Sequence, residues 1–196
     1  GFEEELKMKI TIVNGSAREE GNSAKAALFI QEEILSRWPD AIVARINLSE
    51  MTIHPCLGDA WCRRNEECTQ SDDAKWILPL LESSDFTVFL SPVFFRDMSS
   101  LMKIFLDRCY PMVKGNPGDQ KPKKDGKKAV LIMFQYGKSR GSEEALKHTS
   151  GVLESLGFTL KGAMLFGDAD DFGSASEDEK NRQKILKAII SAGGQK

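Results

Sequence analysis

Two groups of residues in this chain have the types and spacing to do chemistry. Ser16, Arg18, Asn22 and Ser23 gather hydroxyl, amide and cationic side chains in one glycine-bounded stretch, and Cys56, Cys62 and Cys68 place three thiols close together with Asp59 between the first two. The first group is chemistry for an anion. Residues 9–14, KITIVN, are mostly β-branched and apolar without helical spacing, as in a central parallel strand covered on both faces. Gly15 breaks that run, and Gly21-Asn22-Ser23 comes just before the helical segment 24–37. A helix starting there directs unpaired N–H groups and roughly half a positive charge back at the loop.

The loop's composition narrows the anion. A nucleoside-triphosphate loop needs G-x-x-x-x-G-K-[ST], but the interval from Gly15 to Gly21 is one residue too long and Asn22 stands where the lysine belongs. The dinucleotide fingerprint G-x-G-x-x-G is absent as well, because Ala17 follows Ser16 in place of its second glycine. What remains suits one terminal phosphate held without a metal; the alternative is a capped turn that binds nothing. Charge-assisted hydrogen bonds contribute about 1.5–3 kcal/mol each, so three or four would supply the roughly 8 kcal/mol of micromolar binding.

The second group is chemistry for a metal, a cluster or a redox reaction. Four cysteines, three of them clustered, do not suggest a secreted disulfide scaffold in a chain of 196 residues. Zinc is disfavoured, since the five-residue gaps between cysteines do not match the usual ligand spacings and only His54 lies nearby. With His54 and His148 as the two histidines, a Ser/His/Asp or Cys/His hydrolase has little to work with. Ser100-Leu101-Met102-Lys103 matches the S-x-x-K of penicillin-recognising enzymes, but its companion motifs are missing and its helical spacing accounts for each residue.

The elements that must position these groups follow from the hydrophobic pattern. Strands are expected at 9–14, 41–48, 85–90, 127–136 and 159–167, the second with Ile42, Ala44, Ile46 and Leu48 on one face. Helices are expected at 24–37, 72–82, 98–109 and 142–156, where Gly157 stops the chain, with a last one opened by Ser176. Residues 49–70 read as irregular and 110–126 as a surface excursion rich in Pro, Gly and Lys. That lysine stretch, continuing to Lys128, reads as a solvated loop, or else as a contact for an acidic electron partner or a nucleotide phosphate.

Alternation of strand and helix implies a doubly wound parallel sheet with helices on both faces, in a single domain spanning residues 1–196 with 1–7 as a flexible end of no assigned function. A hydrophobic fraction of 41% and a net charge of −2 give no reason to invoke nucleic acid or an anionic membrane. No apolar run approaches the roughly 18 residues of a membrane span, so a cytoplasmic protein is expected.

In such a fold, ligands sit beyond the carboxyl ends of the strands, here the loops 15–23, 92–97 and 137–141. Pro92, Val93, Phe94 and Phe95 form an apolar, aromatic ledge whose backbone amides are expected to be free, and Tyr136 and Gly137 allow close approach and stacking. A phosphate cradle at one end and a shelf for a flat polar ring at the other describe flavin mononucleotide (FMN).

Here the chain resembles a known family. Residues 8–23, MKITIVNGSAREEGNS, look like the N-terminal signature of the flavodoxin-like NAD(P)H-dependent FMN reductases, in which a G-S-P-R loop is followed by G-N-[TS]. Residues 85–108, DFTVFLSPVFFRDMSSLMKIFLDR, resemble the second signature, an S-P-V-Y-F segment leading to a helix ending L-K-x-F-x-D-R. The resemblance implies a five-stranded sheet of order 2-1-3-4-5. Ser16, Arg18, Asn22 and Ser23 would hold the FMN phosphate, and Pro92, Val93, Phe94 and Phe95, with Tyr136 and Gly137, would meet the ring and ribityl chain. Ala17 replaces the family's usual Pro and Phe94 its usual Tyr.

The same resemblance implies hydride transfer from NAD(P)H through FMN to a quinone, flavin or metal complex, with no side chain acting as catalytic acid or base. The alternative is an FMN electron carrier that docks with a redox protein. A nucleotide-free interaction module is a third reading. A homodimer or homotetramer is expected by the same analogy. The cysteines resemble those of the iron-sulfur flavoproteins, where a C-x-x-C-x-x-C-x-n-C run binds a [4Fe-4S] cluster. Cys56, Cys62 and Cys68 match three positions, and Asp59 stands where the second ligand belongs.

Overall fold

The computed structural model describes residues 7–115, 119–136, 142–167 and 176–194, side chains of 176–178 excepted. Its strands are β1 (Lys9–Asn14), β2 (Ile42–Asn47), β3 (Phe86–Phe94), β4 (Asp97–Met98), β5 (Val113–Lys114), β6 (Lys121–Pro122), β7 (Lys127–Phe134) and β8 (Phe158–Phe166). Its helices are α1 (Asn22–Arg37), α2 (Trp61–Asn65), α3 (Ala74–Ser83), α4 (Ser100–Arg108), α5 (Ser142–Ser155) and α6 (Ser176–Gly193). The five long strands run β2-β1-β3-β7-β8, each parallel to its neighbours. In order of appearance that is 2-1-3-4-5, the expected doubly wound order.

Alternation along each strand sends side chains to two separate cores, as a sheet covered on both faces requires. Ile10, Ile12, Val88 and Ile132 face Ala27, Ile30 and Ile34 of α1 and Ile185 and Ile189 of α6. Val13, Phe89 and Leu131 face the opposite layer, built from Ile77 and Leu81 of α3, Met102 and Phe105 of α4 and Leu153 of α5. The second strand lies at the sheet's edge, so Ile42 is 43% exposed although Ile46 and Leu48 are buried.

Three expectations from the pattern need correction. The third strand does not stop at 90: β7 stays in register as far as Pro92↔Phe134, and β4 then pairs antiparallel with Val93 and Phe94. The ledge amides are therefore not all free, since part of this segment is a hairpin edge and Pro92 has no N–H. Residues 110–126 are not simply a surface excursion, because Met112 and Val113 are buried and β5 pairs with β6. The stretch 49–70 contains the short helix α2.

Candidate flavin site and cysteine loop

The cleft is assembled where β1 and β3 end side by side. The Gly15 amide donates to the Leu90 carbonyl at 2.8 Å, and the Ser99 hydroxyl donates to the Gly15 carbonyl at 2.7 Å. Ser99 also caps α4, accepting from the Met102 amide at 3.1 Å. A Cβ at position 15 would lie 3.0 Å from both Met102 Cβ and Ser99 Oγ, so a larger residue there would push α4 back from the loop by a few tenths of an ångström. One small joint thus fixes the anion loop to the segment that carries the ledge.

Within the loop, Asn14 Oδ1 accepts from the Ser16 amide and Ser16 Oγ from the Arg18 amide, both at 3.1 Å. These bonds curl the chain so that α1 begins at Asn22 after the Gly21 cap, where no side chain caps the helix and no acid lies in its first turn. The positive end of the α1 dipole thus lies at the cleft, where Asn22 and Ser23 of its first turn are lining residues. Ser16 and Ser23 are buried, whereas Arg18 is exposed. Glu20 sits at the rim, a carboxylate that sequence reasoning did not place there.

Ser16, Arg18, Asn22, Ser23, Pro92, Val93, Phe94 and Tyr136 all line one cleft of about 690 Å³, within the range of small-molecule sites. Phe95 does not line it: Phe95 (φ 50°) and Arg96 (φ 66°) make the tight turn between β3 and β4, and the Phe95 ring is fully exposed. Gly137 lies outside the described residues. Gln135 was missed by sequence reasoning, yet it lines the cleft, and its Oε1 is buried without a hydrogen-bond partner among the described residues. Nothing in its type or spacing marks it, for it follows a hydrophobic strand as an ordinary loop residue would. Hydroxyls, a cation and a helix N-terminus at one end, with aromatic walls and an orphaned acceptor at the other, fit a phosphate-ended flat heterocycle.

The three clustered thiols also share a cavity. Cys56, Asp59, Cys62 and Cys68 line a space of about 120 Å³ bounded by Arg108 and Tyr110. Asp59 Oδ1 accepts from the Trp61 amide at 3.1 Å and Oδ2 from the Thr69 hydroxyl at 2.9 Å, and these bonds hold its carboxyl below the usual range. Burial pushes the Cys62 thiol up, with Cys68 and Cys56 adding to the effect. Arg108 Nη2 donates to Cys68 Sγ at 3.4 Å. Cys109 is apart from this group, buried in the core, where loss of solvent pushes its thiol strongly up and it donates to the Phe105 carbonyl.

Arg108 anchors the loop from beneath. Its side chain is 1% exposed, it grips both oxygens of Asp72, and it donates to the His54 carbonyl at 2.9 Å. Burial alone would raise the Asp72 carboxyl, but hydrogen bonds from Arg108 and the His54 amide outweigh it and hold the pKa at about 2. The His54 ring faces Asp72 at 3.3 Å, and His148 pairs with Asp97 at 3.1 Å. Lys103, the lysine of the S-x-x-K coincidence, pairs with Asp107 at 2.7 Å.

The sequence profile of the family described as NADPH-dependent FMN reductase matches residues 8–170. The chain belongs to this family. An iron-sulfur flavoprotein of Clostridioides difficile is 26% identical over 184 residues, covering 93% of this chain and 78% of that protein. One from Archaeoglobus fulgidus is 29% identical over 190 residues, covering 94% and 80%. Among solved structures, an FMN-dependent NADH-azoreductase from Bacillus anthracis in complex with FMN shares the fold with a TM-score of 0.69 at 17% identity, covering 96% of this chain and all of that one.

As an FMN reductase family member the protein is a flavin-dependent oxidoreductase, and its cleft matches FMN in donor chemistry. The cysteine loop does not match an iron-sulfur cluster equally well. Such clusters are held by four thiolates as a rule, and the loop offers three thiols with a carboxylate whose two oxygens are both engaged. Among the described residues, no three His, Cys, Asp or Glu side chains are placed to hold one metal ion.

Proposed function

We propose that the protein binds FMN in the 690 Å³ cleft and passes hydride from NADH or NADPH to a small acceptor such as a quinone, free flavin or metal complex. The observation that carries this reading is the meeting of the anion loop and the aromatic ledge in one cleft. Ser16, Ser23, Arg18 and Asn22 would bind the phosphate, with the α1 dipole adding attraction. Pro92, Val93, Phe94 and Tyr136 would orient the ring and exclude water from it, and Gln135 would accept a hydrogen bond from a ring or ribityl donor. Bound FMN supplies the two-electron chemistry. The protein's task is placement, and no histidine is among the described residues that line this cleft.

Reconstituted with FMN, the protein should oxidise NADH or NADPH in the presence of menadione, riboflavin or ferric citrate. Failure with both nucleotides and all three acceptors would refute the enzyme reading. A second reading, an electron carrier serving a redox protein, draws on the iron-sulfur flavoproteins among the relatives. Slow reduction by NAD(P)H combined with rapid electron exchange with a ferredoxin would select it. A cytoplasmic location and a homodimer or homotetramer complete the proposal, the assembly supported by the fully exposed Phe95 on a turn of two left-handed non-glycine residues. Light scattering should then show a mass shift toward the monomer in Phe95→Ser.

A further inference from the structure

The cysteine loop is closed twice by the protein's own hydrogen bonds. The outer closure is Arg108, which joins the His54 carbonyl just before the first clustered cysteine to Asp72 just after the last. The inner closure is Asp59, which ties the start of the loop to its end through the Thr69 hydroxyl and simultaneously holds the first turn of α2 through the Trp61 amide. Cys56 Sγ accepts from the Gly58 amide at 3.4 Å, and Cys68 Sγ accepts from Arg108. A cluster held by four thiolates is itself a crosslink between the ends of such a loop.

We infer that in this chain Asp59 replaces an iron-sulfur cluster as the inner crosslink, so that the loop keeps a closed shape without iron. To serve as a ligand, Asp59 would have to share with iron an oxygen that already accepts one of the hydrogen bonds shaping the loop. A carboxylate is also a harder donor than the thiolate it replaces, and poorly suited to a cluster iron. The three thiols remain as a metal-free pocket beside two guanidinium groups, Arg63 and Arg108.

Two measurements test this. The FMN-loaded protein is incubated anaerobically with ferrous iron and sulfide, desalted, and assayed for both elements and for broad absorption beyond the flavin bands. Wild type should retain less than about one iron per chain, and Asp59→Cys about four with matching sulfide. More than about one iron with matching sulfide in wild type, or none in a folded Asp59→Cys, would overturn the inference. The second measurement needs no metal. Tryptic cleavage at Arg63-Arg64 within the closed loop should speed up about five-fold in Thr69→Val, which loses one hydrogen bond, and more in Asp59→Ala, which loses the Trp61 bond as well, with the double variant no faster than Asp59→Ala. Unchanged cleavage in either single variant, or fully additive acceleration in the double, would refute the crosslink.

Discussion

Arg18 and Ser16 divide the work of the anion loop differently. The Ser16 hydroxyl is buried and already bonded to the Arg18 backbone, so its first role is to shape the loop. Arg18 is exposed on the cleft and free to move onto a phosphate. Arg18→Ala should therefore weaken FMN binding about ten-fold, the loss of one solvent-reached charge-assisted bond, while leaving riboflavin affinity unchanged. Titrations of flavin fluorescence quenching with both ligands would separate the two. Asp72 carries the clearest pH signal. Its folded pKa of about 2 lies below the ordinary carboxylate value, so its stabilisation is complete above about pH 5 and is lost as pH falls through that interval. With solvent screening the contribution is on the order of 1–2 kcal/mol. Urea midpoints measured from pH 6 to pH 3 should decline accordingly. Asp72→Asn should be less stable throughout, because it leaves the Arg108 guanidinium buried without a counter-charge, but its acid decline should be shallower.

At the level of elements, Gly157 shows what a sequence can disclose and what it withholds. Its place after a helical pattern marks it as a helix stop. The structure adds that its φ is +93° and that a Cβ there would lie 2.2 Å from the Lys124 carbonyl oxygen. Gly157→Ala should thus cost more than a lost cap, about 2–4 kcal/mol, readable as a lowered urea midpoint without a change in FMN affinity. The long strands and major helices were legible because each buries a face with its own period. The β3–β4 hairpin was not, since its pairing depends on a two-residue partner strand that carries no period of its own. For the same reason the anion loop and ledge could be read from residue type, whereas Gln135 could not: its value lies in an unpaired buried oxygen that only the packing creates. The role of Asp59 was equally hidden, because its partner Thr69 lies ten residues away across an irregular loop.

For the molecule as a whole, FMN binding and folding should be linked. A ligand present at one hundred times its dissociation constant stabilises the native state by about 2.7 kcal/mol, which for a chain of 196 residues raises the melting temperature by roughly 5–10 °C. A thermal melt with FMN should show that rise, and an equal concentration of riboflavin should show less, because it lacks the group that the loop is built to hold. No helix among the described residues is long and apolar enough to cross a membrane.

The Gly15–Ser99 contact has a mechanical consequence. Because Gly15 is bonded on one side to Leu90 and on the other to Ser99, the two walls of the cleft share a pivot and cannot part independently. A flavin would enter along the open mouth between these joined walls, so Ser99→Ala, at a residue that does not line the cleft, should hasten its escape from both ends at once, read as a faster FMN off-rate.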